Sequence, residues 1–169
     1  MKKGLTILLI FLAAVSHGQE ADFDLSNIKF KGLEFSTPKE KLIKAFGLGK
    51  KVETNYECGF FANDQEGGPY YQLVYAGFDY IGSDKGNFFL QHVNFDIKGR
   101  IKINYKEMEL SGESTKDDLI KLFGNKVNEY LKDYQDKDSI LIYSKGSDDG
   151  AIFTFKDNKL KKFQYWTPC

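Results

Sequence analysis

Two short stretches of the chain carry the same order of apolar and polar positions. Residues 33–47 read Leu-Glu-Phe-Ser-Thr-Pro-Lys-Glu-Lys-Leu-Ile-Lys-Ala-Phe-Gly, and residues 110–124 read Leu-Ser-Gly-Glu-Ser-Thr-Lys-Asp-Asp-Leu-Ile-Lys-Leu-Phe-Gly. A shift of 77 positions aligns them without a gap, with Leu33/Leu110, Leu42/Leu119, Ile43/Ile120, Lys44/Lys121, Phe46/Phe123 and Gly47/Gly124 identical. Leu42/Phe46 and Leu119/Phe123 stand four apart, which gives each stretch one apolar helical face. Thr37 and Ser114 are the expected N-caps, with Pro38 at the first helical position of the first copy. Glu40 is expected to close a capping box, and Asp117 is its weaker counterpart. Gly47 and Gly124 supply the residue past each helix end that left-handed backbone requires.

Strand-like patterns follow each helix. Residues 70–81 are rich in aromatic and β-branched types, with Gly77 as an expected bulge. Residues 88–95 alternate, which places Phe89, Gln91, Val93 and Phe95 on one face and His92 on the other. Lys98-Gly99 turns the chain into 100–105. In the second half, 140–143 and 151–155 read as strands around a turn at Gly146–Gly150, and Asp157-Asn158 turns into Leu160–Tyr165. Phe95–Ile101 and Phe155–Leu160 read as the same hairpin. Residues 127–134 fit helical and strand spacing alike. Helix then antiparallel strands, twice over, predicts an α+β fold with short helices packed on an antiparallel sheet. The first unit is expected over residues 19–110 and the second over 111–169, together forming one compact body.

The N-terminus changes the picture of compartment. Lys2 and Lys3, the apolar run Leu5–Val15 and the small residues Ser16 and Gly18 form the three parts of an export signal over residues 1–18. The run is shorter than the roughly twenty residues a membrane span needs. A periplasmic or secreted protein, soluble after cleavage before Gln19, is the expectation. In an oxidising compartment Cys58 and Cys169 can form a disulfide; the alternative is two separate thiols. The formal charge is zero, from 24 Lys+Arg against 24 Asp+Glu. That balance speaks against a dedicated nucleic-acid binder.

The helix from Ser36 to Gly47 with Phe95, Asp96, Gly99, Arg100 and Ile101, and then Ser114 to Gly124 with Phe155 to Leu160, resembles the β-lactamase-inhibitor-protein-like superfamily. It also resembles the small outer-membrane-assembly lipoproteins, which carry one copy of the unit. The resemblance covers most of residues 28–166. It implies a tandem repeat with a curved sheet used to grip another protein, no enzymatic activity and no cofactor.

Candidate chemistry is sparse. His92 is the only histidine beyond the signal, so a Ser–His–acid or Cys–His site would have to use it. No serine lies in a Gly-x-Ser-x-Gly turn, and His92 reads as a packing or solvent-facing strand residue. Asp133, Asp136 and Asp138 lack the glycine and closing Glu of a calcium loop, and no metal ligand set is expected. Lys156, Lys159, Lys161 and Lys162 read as the exposed face of the last hairpin, guarding an edge strand.

The 26 aromatic residues, from 15 Phe, 10 Tyr and one Trp, are the more informative feature. Tyr70, Tyr71, Tyr75, Phe78 and Tyr80 crowd one strand region, and Phe60 and Phe61 lie in the glycine-rich loop 59–69. These seven are the candidate binding residues, because rigid aromatics bury large area at small entropic cost. They serve equally as core packing pairs. The leading expectation is an exported, non-catalytic module that binds another protein through an aromatic sheet face. A carrier of a small apolar ligand is the second reading, and a hydrolase using His92 or paired carboxylates the third.

Overall fold

The computed structural model describes residues 22–62, 64–124, 127–128, 130 and 138–169. Along them run a 3-10 turn (Leu25–Asn27), β1 (Ile28–Phe30), β2 (Leu33–Glu34), β3 (Ser36–Pro38), α1 (Lys39–Phe46), β4 (Lys50–Glu53) and β5 (Tyr71–Tyr75). Then follow β6 (Phe78–Gly82), β7 (Asn87–Asn94), β8 (Lys102–Tyr105), β9 (Met108–Ser111), α2 (Lys116–Phe123), β10 (Ser139–Tyr143), β11 (Gly150–Lys156) and β12 (Lys159–Trp166). The class is α+β: antiparallel sheets with two short helices. The predicted signal lies outside the described residues, as do Asp133, Asp136 and most of 127–134.

Tight reversals set the pairing. Lys31-Gly32 joins β1 to β2, and Lys106-Glu107 joins β8 to β9; Lys31 and Lys106 both sit at positive φ, 49° and 53°. Asp157 and Asn158, at 54° and 57°, turn β11 into β12 as two-residue hairpins of right-handed twist require. Gly77, at φ 87°, does not bulge a single strand over 70–81. It reverses the chain there, so that Tyr75 faces Phe78 and β5 pairs with β6.

The hairpins assemble into two sheets. The smaller has the order β2-β1-β8-β9, and the larger, of eight strands, has the order β10-β11-β12-β7-β6-β5-β4 with β3 also paired to β7. In the first, Lys29 stands opposite Asn104 at the centre of the β1–β8 seam. In the second, Val93 stands opposite Phe163 at the centre of the β7–β12 seam. The expected equivalence of Phe95–Ile101 with the hairpin at 155–160 does not hold. Residues 95–101 carry the chain from β7 in one sheet to β8 in the other, whereas 157–158 join adjacent strands. Asp96 organises that crossing, accepting hydrogen bonds from the backbone N–H groups of Arg100 and Ile101. β12 is no edge strand either, since β11 and β7 flank it.

The inner face of the large sheet holds the core. Tyr71 and Leu73 of β5, Phe78 and Tyr80 of β6, Phe88, Leu90 and Val93 of β7, Phe153 of β11 and Phe163 of β12 are all buried. Phe46 of α1 packs on Phe78 and Tyr75 at centroid distances of 5.0 and 5.5 Å, and Phe30 of β1 joins them, 4.8 Å from Phe78. Phe123 of α2 meets Tyr105 of β8, Phe23 and Phe153 at 5.1, 5.2 and 6.0 Å. Each helix therefore docks beside one strand of the small sheet onto the large one.

The helix starts lie one residue later than expected. Thr37 belongs to β3, and its hydroxyl donates back to the Glu34 carbonyl instead of capping α1. Pro38 is the N-cap of α1, without a side-chain cap, so Glu40 closes no box. In α2 the cap is Thr115, in a box with Asp118 and not Asp117; Ser114 instead accepts from the Ser111 N–H.

Two outcomes follow. Phe123→Ala should cost about 3–5 kcal/mol, read from urea unfolding, because it empties a site shared by three rings. Thr115→Ala should cost about 1 kcal/mol. The Thr115 backbone N–H and hydroxyl hold the Asp118 carboxyl below its ordinary 3.8. The native state thus favours the ionised form, and this contribution is full above the unfolded pKa and lost as pH falls through the folded one. Acid titration of the Thr115→Ala variant should show a shallower loss of stability below pH about 4 than the parent chain.

Candidate functional site

The outer face of the large sheet is where the fold leaves side chains available. Cross-strand partners place Asp79 beside His92, His92 beside Gln164, Gln164 beside Ile152 and Ile152 beside Leu141 on that face. Tyr143, exposed at 52%, continues the row, and Trp166 packs edge-on against it at 5.6 Å. No helix covers this side among the described residues. Only the excursion between β4 and β5 crosses it, closed at its base by the Thr54 hydroxyl donating to the Tyr70 carbonyl.

A β-bulge decides which β7 residues look outward. Asp79 pairs with His92 but Tyr80 pairs with Leu90, so Gln91 is the extra residue. The bulge resets the alternation. Phe89, Gln91 and His92 share the outer side, and Val93 and Phe95 turn inward, correcting the phase expected from strict period two. Phe89 meets Phe61 at 5.7 Å and stacks on Tyr165 at 6.2 Å.

The excursion is anchored at two points. Phe61, buried at 4% exposure, inserts between Tyr70, Phe89 and Tyr165. Cys58 forms a disulfide with Cys169 across 111 residues, which ties the end of β12 to the excursion. Gly59 lies against this junction at φ 85°, where a Cβ would stand 3.1 Å from the Pro168 carbonyl oxygen. The space between the excursion and the end of β12 is a cleft of about 240 Å³. Gln91, His92 and Gln164 form its floor, Tyr56 and Glu57 one wall, and Trp166 and Thr167 the other.

Its polar groups are arranged as follows. His92 Nδ1 lies 3.1 Å from both carboxylate oxygens of Asp79. An ionised carboxylate only accepts, so Nδ1 carries the proton and Nε2 is an acceptor in the neutral ring. Gln164 Oε1 accepts from Lys162 Nζ at 3.0 Å. Gln91 is 7% exposed, and its Oε1 has no hydrogen-bond partner among the described residues. Burial, with the neighbouring Asp79 charge, pushes the Tyr56 hydroxyl up from its ordinary value. Among the described residues, no group of three or more His, Cys, Asp or Glu side chains is placed to hold a metal ion.

The seven aromatic candidates divide sharply. Tyr71, Phe78 and Tyr80 are core residues, and Tyr75 is partly covered by Phe46 of α1. The Tyr71 hydroxyl donates to Asp84 at 2.6 Å, and Lys51 lies over its ring. Helix α1 docks on that strand face, so it is not available to a partner. Tyr70 and Phe61 pack under the excursion, and Phe60 alone is exposed, at 61%. Sequence reasoning missed Trp166, Tyr143 and Tyr56. The alternation of Phe163 and Tyr165 against Gln164 and Trp166 was the available signal for the first of these. Nothing local pairs Asp79 with His92.

Reducing the disulfide should lower stability by about 5 kcal/mol, the chain-entropy expectation for a loop of this length. Urea midpoints with and without reductant, checked against Cys58→Ser, measure it; an unchanged midpoint would mean the bridge constrains nothing. Comparison with protein-family models, with curated proteins and with solved structures gave no match.

Proposed function

We propose that this chain is an exported, non-catalytic recognition protein that binds another protein through the outer face of its large sheet. The observation that carries this reading is the uncovered row from Tyr143 and Trp166 across Ile152 and Gln164 to His92 and Tyr56. Aromatic side chains held on paired strands lose little entropy on binding, the pattern of interface hot spots. The Cys58–Cys169 disulfide is compatible with an oxidising compartment. Among the described residues no helix is long and apolar enough to cross a membrane.

The same reading includes a tandem origin. Ile28, Lys29 and Phe30 match Ile103, Asn104 and Tyr105 at a shift of 75, the two-residue difference from 77 being taken up before α2. Under that shift the β1–β8 seam pairs each residue with the equivalent of its mirror position, centred on Lys29 and Asn104. This supports two helix-plus-sheet units in tandem, the arrangement that the resemblance to β-lactamase-inhibitor-like proteins implies.

The alternatives fare differently. A carrier expects an enclosed cavity lined by Tyr71, Tyr75, Phe78 and Tyr80; Tyr75 and Phe78 instead stack at 4.9 Å, and Tyr71 meets Phe88 at 5.2 Å. The hydrolase reading has one observation in its favour, a cleft-lining His92 with Asp79 at its Nδ1. Both cysteines there are bonded to each other, which leaves that pair without a thiol nucleophile.

Affinity capture with the tagged protein from the envelope fraction of its source cells tests the proposal. One stoichiometric protein should be recovered, and at least tenfold less of it with the folded double variant Trp166→Ala/Tyr143→Ala. Undiminished capture by that variant would overturn the assignment of the face.

A further inference from the structure

We infer that the cleft between Tyr56 and Trp166 is the seat for one arginine side chain of the partner protein. This rests on the recognition reading above and names what the partner must present there.

Gln91 Oε1 is buried and unpartnered, a state that costs about 1–3 kcal/mol unless a donor arrives. Gln91 also lines the cleft, so a side chain seated there is placed to bring a donor to its amide. His92 adds Nε2 as an acceptor in its neutral ring, because Asp79 occupies Nδ1. The cleft thus offers acceptors that want several N–H groups at once.

Charge points the same way. The walls carry Glu57, with Asp79 behind His92, and among the described residues no lysine or arginine lines the cleft. The nearest cation on the same strands, Lys162, is turned to Gln164 Oε1. The other walls are aromatic, Tyr56 and Trp166. A cation with a flat face is stabilised against such rings by about 0.5–2 kcal/mol. A guanidinium is planar, always charged and carries five donors in a fixed fork, which an ammonium does not. At about 240 Å³ the cleft is smaller than the roughly 300–1,000 Å³ of sites for drug-sized ligands, and it suits a single side chain.

The chain supplies its own probe, since it contains one tryptophan, and that is Trp166. The peptide acetyl-Gly-Arg-Gly-amide should give a saturable change in Trp166 emission at millimolar concentration and shift the side-chain amide signal of Gln91. Its lysine analogue should bind several-fold more weakly, and its citrulline analogue, flat but uncharged, should give no saturation. Gln91→Met should weaken the arginine peptide about tenfold, the worth of one hydrogen bond to a charged group. Glu57→Gln, on the exposed wall and outside the core, should weaken it several-fold with unfolding unchanged. Equal binding of the citrulline peptide, or no saturable response to arginine, overturns the inference. If capture of the partner still depends on Trp166 and Tyr143 in that case, the recognition reading stands and only the arginine seat falls. If capture is indifferent as well, both fall.

Discussion

Strand β7 pairs with three other strands. Along one edge it pairs with β6; along the other it pairs with β12 near its C-terminal end and with β3 near its start. Its register therefore binds the N-terminal hairpins, the central meander and the C-terminal hairpin into one sheet. Phe88, Leu90 and Val93 on its inner side are fully buried, so a slip by one residue would send all three to the outer face. The helices, by contrast, are eight residues each and too short to hold their shape without the sheet beneath them.

The same strand creates the site. Its bulge places Gln91 and His92 side by side on the outer face, where strict alternation would separate them. On the other side of the seam, β12 ends in Trp166 and continues to Cys169, whose disulfide draws the 54–69 excursion across the sheet. Phe61 anchors that excursion, so the cleft has walls fixed from two directions, by a covalent bond and by a buried ring. Rigid walls matter for recognition because the entropy of ordering them is spent in folding, not at each encounter.

The helices, the two glycines that end them and the turns at 157–158 were legible because each is a local event, written in caps and φ-permissive residues within a few positions. Gly77 was legible as special but not as a hairpin, since a bulge and a two-residue reversal ask for the same positive φ. The aromatic cluster at 70–80 was legible as one amphipathic face, yet whether that face met a helix or a partner was not. Phe46 of α1 decides it from more than twenty residues away. Trp166 and Tyr143 were missed because alternation marks which residues share a face without saying which face is covered.

By itself the sequence determined the two helices, the strands β7, β8, β10, β11 and β12, the α+β class, the candidate cysteine pair and the scarcity of catalytic groups, all consequences of local conformational preference and composition. The tertiary structure alone decided the seam between β7 and β12, the bulge at Gln91, the approach of Asp79 to His92 and the face left open. Those depend on which strands become neighbours. That choice is made by burying the largest apolar area across the whole chain, a sum that no window of the sequence contains.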